Sequence, residues 1–321
     1  MRREDLTRAL ERMLDGAMGT PEIVELLERL EADGVGADEI AAGRAVMRAH
    51  MRRVDIPKGA IDIVGTGGTG LKTLSISTAT AIVVAACGVP VAKHGNRGAS
   101  SPTGTADTLA ELGVDIGMSP NRASAAVSKV GLGFLYAPTY HPALRHVGEA
   151  RREIGKRTLF NRLGPLCNPG GVQHMLLGVA VEADLDPIAE ALAEDAEMTA
   201  WVVRGRDGLD EITLTDTTDV RVVEGGKVVP GEVDVEAMGL ERRGLADLRG
   251  GVPAENAAAL RGLLDGERGA YRDVVRLNAA AALRVVGRAI GWADGMDAAS
   301  EALDSGAAAA KLAELAAFSR G

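Results

Sequence analysis

Aromatic side chains are scarce. Phe, Trp and Tyr make up 2% of the 321 residues, which excludes stacking on several rings as the main binding mode. Cysteine is scarcer still. Cys87 and Cys167 stand in apolar or Pro/Gly surroundings without metal-ligand spacing, and read as reduced thiols of a cytoplasmic protein. No apolar run approaches the ~20 residues of a membrane span. The start, Met-Arg-Arg-Glu-Asp, lacks the apolar core of a signal peptide, so no membrane role is expected. Positive charge is in deficit: 36 Lys and Arg against 45 Asp and Glu leave a net charge of −9, which argues against a nucleic-acid surface. The most informative absence is local. Between Ile63 and Ala106 there is no Asp or Glu at all.

What fills that acid-free stretch is glycine, hydroxyls and a few cations: Gly65, Gly67, Gly68, Gly70, Thr73, Ser75, Ser77, Thr78 and Thr105, with Lys72, Lys93, His94 and Arg97. Backbone N–H groups freed by glycine, hydroxyls and isolated cations are what a phosphate requires. An anionic, phosphate-rich substrate is the first inference. Gly65, Gly67 and Gly70 spell G-x-G-x-x-G, but the acidic residue that a dinucleotide site needs about 20 positions on is missing before Asp107. The P-loop pattern fails too, because Leu71 separates Gly70 from Lys72-Thr73. A plain glycine turn explains Gly65 to Gly70 but not the long exclusion of acids.

The periodicities divide the chain. Residues 4 to about 52 read as three amphipathic helices without a strand. The first carries Leu6, Leu10 and Leu14. The second opens with Thr20 as N-cap and Pro21 at the first helical position and ends at Gly34. The third runs from about Ala37 to Met51. Their apolar faces would bury each other or a second subunit. From Ile61, short apolar runs alternate with helical segments, including expected strands at Val89–Ala92, Val114–Ile116, Gly133–Tyr136, Leu176–Val181 and Ala200–Arg204. Residues 157–169 read as a turn-rich segment with two prolines, 212–232 as a β-hairpin edge and 254–320 as helical. The expected fold class is therefore α/β: a small helical domain over 1–57, completed by helices from about 148–172, and a larger domain over 58–321 with a central, mostly parallel sheet flanked by helices.

Asp207, Asp210 and Glu211 crowd one turn after an expected strand. Clustered carboxylates repel, and a divalent cation shared with phosphate relieves that cost; a solvated acidic turn is the plain alternative. No histidine pair has zinc-site spacing with cysteine. His94 lies in the acid-free stretch, and His141 sits beside Tyr140 and near Arg151, although a lone histidine is more often structural. Arg151 offers a planar fork suited to a carboxylate. No Ser-His-Asp or catalytic cysteine arrangement stands out.

The motifs Gly65-Thr-Gly-Gly68, Ile76-Ser-Thr78, Val91-Ala-Lys-His-Gly-Asn-Arg97, Arg157-Thr-Leu-Phe-Asn161, Leu163-Gly-Pro-Leu166, Asn168-Pro169 and Asp207-Gly-Leu-Asp-Glu211 occur in this order across nearly the whole chain. In this the sequence resembles the anthranilate phosphoribosyltransferases. The resemblance implies a homodimer and a Mg²⁺-dependent attack of the anthranilate amine on C1 of 5-phosphoribosyl 1-pyrophosphate. It implies that Ser77, Asp210 and Glu211 handle Mg²⁺ and that Lys93 faces phosphate. The donor would be held by Gly65, Gly67, Gly68, Thr73, Ser75, Ser77, Thr78, Lys93 and Thr105. Anthranilate would be lined by His94, Asn96, His141 and Arg151, with Arg151 on its carboxylate. No acid/base residue is implied, since a neutral aromatic amine is already nucleophilic and positioning can carry the rate. Three places depart from the family pattern: Thr69 where Asp is usual, Ser75 where Asn is usual, and Ser100-Ser101-Pro102-Thr103-Gly104 in place of Ser-Ser-Lys-Ser-Gly. All fall on the donor half, and predict donor binding weaker by about 1–3 kcal/mol if one hydrogen bond to a charged group is lost. Two other readings are a same-fold transferase or nucleoside phosphorylase acting on another base, echoed by Lys72-Thr73, and a non-catalytic nucleic-acid-binding relative. The first lacks Lys-His-Gly-Asn-Arg and Gly-Leu-Asp-Glu. The second is opposed by the charge of −9 and the intact Asp210-Glu211.

Overall fold

The structure is a computed structural model that describes residues 1–98 and 102–321. It begins with helices α1 (Arg3–Leu14), α2 (Thr20–Asp33) and α3 (Ala37–His50). The α/β part follows as β1 (Ile61–Gly65), α4 (Ile76–Ala86), β2 (Val91–Gly95), α5 (Thr105–Glu111), α6 (Pro120–Lys129), β3 (Leu132–Tyr136) and α7 (Ala137–Tyr140). Next come α8 (Gly148–Ile154), α9 (Leu159–Leu166), β4 (His174–Gly178), α10 (Leu185–Ala193) and β5 (Thr199–Gly205). The hairpin β6 (Thr218–Glu224) and β7 (Lys227–Val233) precedes α11 (Pro253–Leu264), α12 (Ala270–Val285), α13 (Trp292–Asp304) and α14 (Ala307–Arg320).

One seven-stranded sheet runs in the order β3-β2-β1-β4-β5-β6-β7. Its first five strands are parallel, and β6 and β7 are antiparallel. Strands covered on both faces read as continuous apolar runs, as Met175–Leu177 of β4 do, and β1 departs from this only at the buried Asp62. The hairpin turns on Gly225-Gly226, both with positive φ as a tight turn of this hand requires. Chain order reverses across the β1–β4 pair: β2 and β3 lie to one side, β4 and β5 to the other. The carboxyl ends of those strands, Gly65 beside Gly178, therefore open the crevice where α/β sheets hold ligands.

The helices pack by size. Leu6, Leu10, Met13 and Leu14 of α1 are buried, and α1 lies on α3. A Cβ at Gly43 would come within 2.6 Å of Leu163 Cδ1, so glycine lets α3 sit close to α9. The alanine run of α12 is fully buried beneath α4 and α13, where Gly295 meets Ala280. α8 packs on α2, and α10 packs on α3.

Three local expectations change. Residues 114–116 form no strand: the Asp115 N–H donates to Ser319 Oγ at 2.8 Å and Asp115 Oδ1 accepts the Gly117 N–H, so the segment turns onto α14 instead of extending. Helix α2 starts one residue early, with Gly19 as N-cap and its N–H on the Glu22 carboxylate at 2.9 Å. Much of the turn-rich segment is helix α9, opened by the Thr158 N–H donating to Asn161 Oδ1 at 3.0 Å and carrying Pro165 near its end.

Candidate active site

The crevice at the ends of β1 and β4 holds a cavity of about 310 Å³. It is lined by Gly65, Gly67, Gly68 and Thr73, and by Ser75, Ser77, Thr78 and Thr105. Lys93, His94 and Asn96 reach it from β2 and the loop beyond, and Asp210 and Glu211 close it. Of the remaining expected residues, His141 and Arg151 do not line this cavity. Ser100 and Ser101 lie outside the described residues.

The acidic turn is built by close backbone approach. A Cβ on Gly178 would collide with the Asp210 carbonyl, and one on Gly65 with Asp210 Oδ2. Glycine at both strand ends thus lets the Asp210 turn descend onto the sheet. From the other side, buried Asn278 of α12 grips Ile212 twice: its Oδ1 accepts the Ile212 N–H at 3.0 Å, and its Nδ2 donates to the Ile212 carbonyl at 2.8 Å. Nothing in the sequence linked Asn278 to the acidic turn, although a lone asparagine in an alanine run was a visible oddity.

The three acids separate. Asp207 turns back into its own loop, accepting the Leu209 N–H at 3.0 Å, the Thr213 hydroxyl at 2.6 Å and the Thr215 hydroxyl. It is a turn former, not a member of the cation cluster that its spacing suggested. Asp210 Oδ2 accepts the Gly67 N–H at 3.0 Å. Both Asp210 and Glu211 keep a little surface on the cleft, but enclosing protein raises the Asp210 carboxyl and raises Glu211 well above the usual range, with mutual repulsion adding to the latter. Glu211 Oε2 is buried without a partner among the described residues. Among the described residues no group of three His, Cys, Asp or Glu could hold a metal alone. A hard cation that keeps waters and phosphate oxygens among its ligands, as Mg²⁺ does, needs only one or two carboxylates. The orphaned Glu211 oxygen and the Ser77 hydroxyl fit that demand.

Opposite stands Lys93, only 3% exposed. Its ammonium donates to the Ile63 carbonyl and to Ser77 Oγ at 3.3 Å. Burial brings its pKa down to about 8, against the pull of Asp62, Glu211 and Asp210. Burial lifts Asp62 to about 6. Asp62 is wholly enclosed, accepting the His94 N–H at 3.1 Å and Asn168 Nδ2 at 2.8 Å.

Beyond Lys93, the rings of His94 and His141 sit 5.1 Å apart. Burial drives His94 down to about 3 and His141 to about 4, so both are neutral at working pH. His94 bonds the backbone at Gly164, and His141 the backbone at Cys167. Each Nε2 is buried and without a partner among the described residues. Arg151 lies 5.9 Å from the centre of the Phe160 ring, where burial lowers its pKa. Asn96 is exposed and uses Oδ1 on the Arg97 N–H at 2.8 Å.

The departures are integrated. Thr69 Oγ1 accepts the Leu71 N–H at 3.1 Å, closing the glycine loop as an aspartate there could. Ser75 Oγ meets Thr108 Oγ1 at 2.8 Å and Asn256 Nδ2 at 3.2 Å. Thr103 donates to the Gly251 carbonyl at 2.6 Å, and Pro102 lines the cavity. Residues 248–251 pair with 72–74 through Leu74 N–H to Leu248 O at 2.9 Å and Gly250 N–H to Lys72 O at 2.8 Å, a wall beside the cavity that the sequence did not disclose.

The family described as Glycosyl transferase family, a/b domain, matches residues 57–309. Anthranilate phosphoribosyltransferase of Azorhizobium caulinodans is 48% identical over 98% of this chain and 92% of its own length. The crystal structure of anthranilate phosphoribosyltransferase from Thermus thermophilus is 41% identical, with a TM-score of 0.93 over 100% of this chain and 96% of that one. The Saccharomyces cerevisiae enzyme in complex with PRPP and Mg is 27% identical, with a TM-score of 0.89 over 100% of this chain and 94% of that one.

Proposed function

Because this chain belongs to the anthranilate phosphoribosyltransferase family, we propose that its cleft transfers phosphoribose from 5-phosphoribosyl 1-pyrophosphate to anthranilate. This is the phosphoribosyl-transfer step of tryptophan biosynthesis. The lone pair of anthranilate's neutral amine forms the new bond to C1 of the ribose. The C1–oxygen bond breaks, pyrophosphate leaves with its electron pair, and the amine proton passes to solvent.

The observation that carries this reading is the Asp210–Glu211 pair, docked on the glycine loop opposite buried Lys93. Charge grows on pyrophosphate as the bond breaks, so preorganised cations and N–H groups there lower the barrier. Lys93, the amide of Gly68 and the N-terminus of α4 at Ser77-Thr78 are assigned to the phosphates. Ser77, Asp210 and Glu211 are assigned to Mg²⁺, which when bound neutralises the departing pyrophosphate. His94, Asn96, His141 and Arg151 are assigned to the acceptor. The Arg151 fork would take the carboxylate, and the neutral histidines each keep an unprotonated ring nitrogen that can accept an amine N–H. The same family membership supports a homodimer and a cytoplasmic location. It also supports a division into a helical unit of 1–57 with about 148–172 and a phosphoribosyl-transfer unit over 58–321.

The test is the loss of anthranilate fluorescence on mixing protein, 5-phosphoribosyl 1-pyrophosphate and Mg²⁺. A rate abolished by EDTA is expected. Absence of any rate at millimolar donor refutes the proposal for this acceptor.

A further inference from the structure

The peptide groups around Gly67 are gripped from two sides. The Gly67 N–H donates to Asp210 Oδ2 at 3.0 Å, and the Gly67 carbonyl accepts Arg157 Nη1 at 2.6 Å. Gly67 has φ +62°, a conformation that only glycine holds at no cost, and Gly68 and Gly70 share it. A loop of this composition loses much backbone entropy when fixed, so what fixes it matters. Arg157 is itself anchored. Its Nη2 lies 3.5 Å from the buried carboxylate of Asp184, which Arg162 Nε also meets at 2.7 Å, and Arg162 Nη1 reaches Glu31 of α2 at 2.7 Å. A ladder of alternating charge thus runs from α2 through α9 to the glycine loop. The same segment supplies the backbone groups at Gly164 and Cys167 that orient His94 and His141.

We infer that Arg157 is a positioning residue for the pyrophosphate end of the donor. It holds the glycine loop against Asp210, so that loop and carboxylate form one preassembled seat before substrate arrives. Arg157 does not touch the reacting atoms. It acts through Gly67, and the inference rests on the phosphoribosyl-transfer reading of the cleft. Losing a charge-assisted hydrogen bond that preorganises the seat costs about tenfold in affinity for what sits there.

The experiment compares wild type, Arg157→Ala and Arg157→Lys in two assays. Steady-state kinetics give separate KM values for donor and anthranilate. Calorimetric titration with magnesium pyrophosphate reads the seat without turnover. The alanine variant is expected to weaken both donor KM and pyrophosphate binding about tenfold, to leave the anthranilate KM within twofold, and to be largely rescued by lysine. Equal loss for donor and acceptor, or unchanged pyrophosphate binding in a variant that melts like wild type, overturns it. If the alanine variant melts early, Arg157→Gln, which keeps a donor for the Gly67 carbonyl, is titrated instead. A selective loss smaller than tenfold supports the inference, and an unselective loss overturns it. A wild type that binds pyrophosphate in an Arg157-dependent way but consumes no anthranilate refutes the acceptor reading while the loop inference stands.

Discussion

Asn278→Ala removes a side chain that never meets substrate, and its cost can be worked from three contacts. The side chain is 2% exposed and bonds the Ile212 N–H, the Ile212 carbonyl and the Val274 carbonyl at 3.0, 2.8 and 2.9 Å. Alanine cannot replace any of them. Val274 belongs to α12 and keeps its helical hydrogen bond, so its loss is minor. Ile212 stands outside regular structure, and both of its backbone groups are left buried and unpaired. At about 1–3 kcal/mol for each orphaned group, the loss is about 4 kcal/mol. Ile212 follows Glu211 directly, so the released turn also carries the carboxylates away from the glycine loop. Urea denaturation should therefore show a loss of about 4 kcal/mol, and activity should need several-fold more Mg²⁺ at unchanged anthranilate KM. Asn278→Asp keeps one acceptor, loses both donors and puts a charge near Glu211, so it should be worse than alanine. A loss below about 1 kcal/mol, or an aspartate variant better than alanine, would show that Asn278 does not hold the turn.

Asp210→Asn keeps an oxygen for the Gly67 N–H while deleting the charge, so most of the Mg²⁺-dependent rate should vanish without a large fall in melting temperature; near-wild-type turnover contradicts the metal assignment. Thr69→Asp combined with Ser75→Asn should lower the donor KM by roughly tenfold, and an unchanged or raised KM refutes the reading of these two departures. Stability should fall with acid through His141: its folded pKa of about 4 lies below the unfolded value, so the unfolded chain takes the proton first. The contribution is present above about pH 6.5 and is lost as pH falls toward 4, reaching about 2 kcal/mol at pH 5. Urea curves at pH 7 and pH 5 should converge by that amount in His141→Gln, and parallel curves would show that the ring is not buried neutral.

The parts of the site that were legible are those in which one short segment does the whole task. Gly65 to Gly70 and Lys93 to Asn96 run off the ends of strands and Ser75 to Thr78 start a helix, so each brings a run of neighbours to the cavity. The exclusion of acids over 64–105 has two sources: residues up to Thr78 and from Lys93 on line the cavity, whereas most of 79–92 is buried in the core. Legibility fails where one residue acts on another far along the chain. Arg157 meets Gly67 across 90 positions and Asn278 meets Ile212 across 66, and no local pattern encodes either pairing.

Proximity in sequence also misled in the opposite sense. Asp207 and Asp210 lie three positions apart, yet the tight turn through Gly208 sends the first carboxylate back to Thr213 and Thr215 and the second out to Gly67. Which way a side chain leaves a turn depends on what receives it, and the receivers here are threonine hydroxyls on one side and a glycine amide on the other. The same reasoning bears on Ser75. A serine hydroxyl is short enough to be shared by Thr108 and Asn256 beneath the cleft, whereas an asparagine at that position has a longer reach and four hydrogen-bonding sites to place. Ser75 therefore ties the cavity lining to the wall formed by 248–256 through Asn256. Any donor affinity that Ser75 has lost should be recoverable from the wall as well as from position 75 itself.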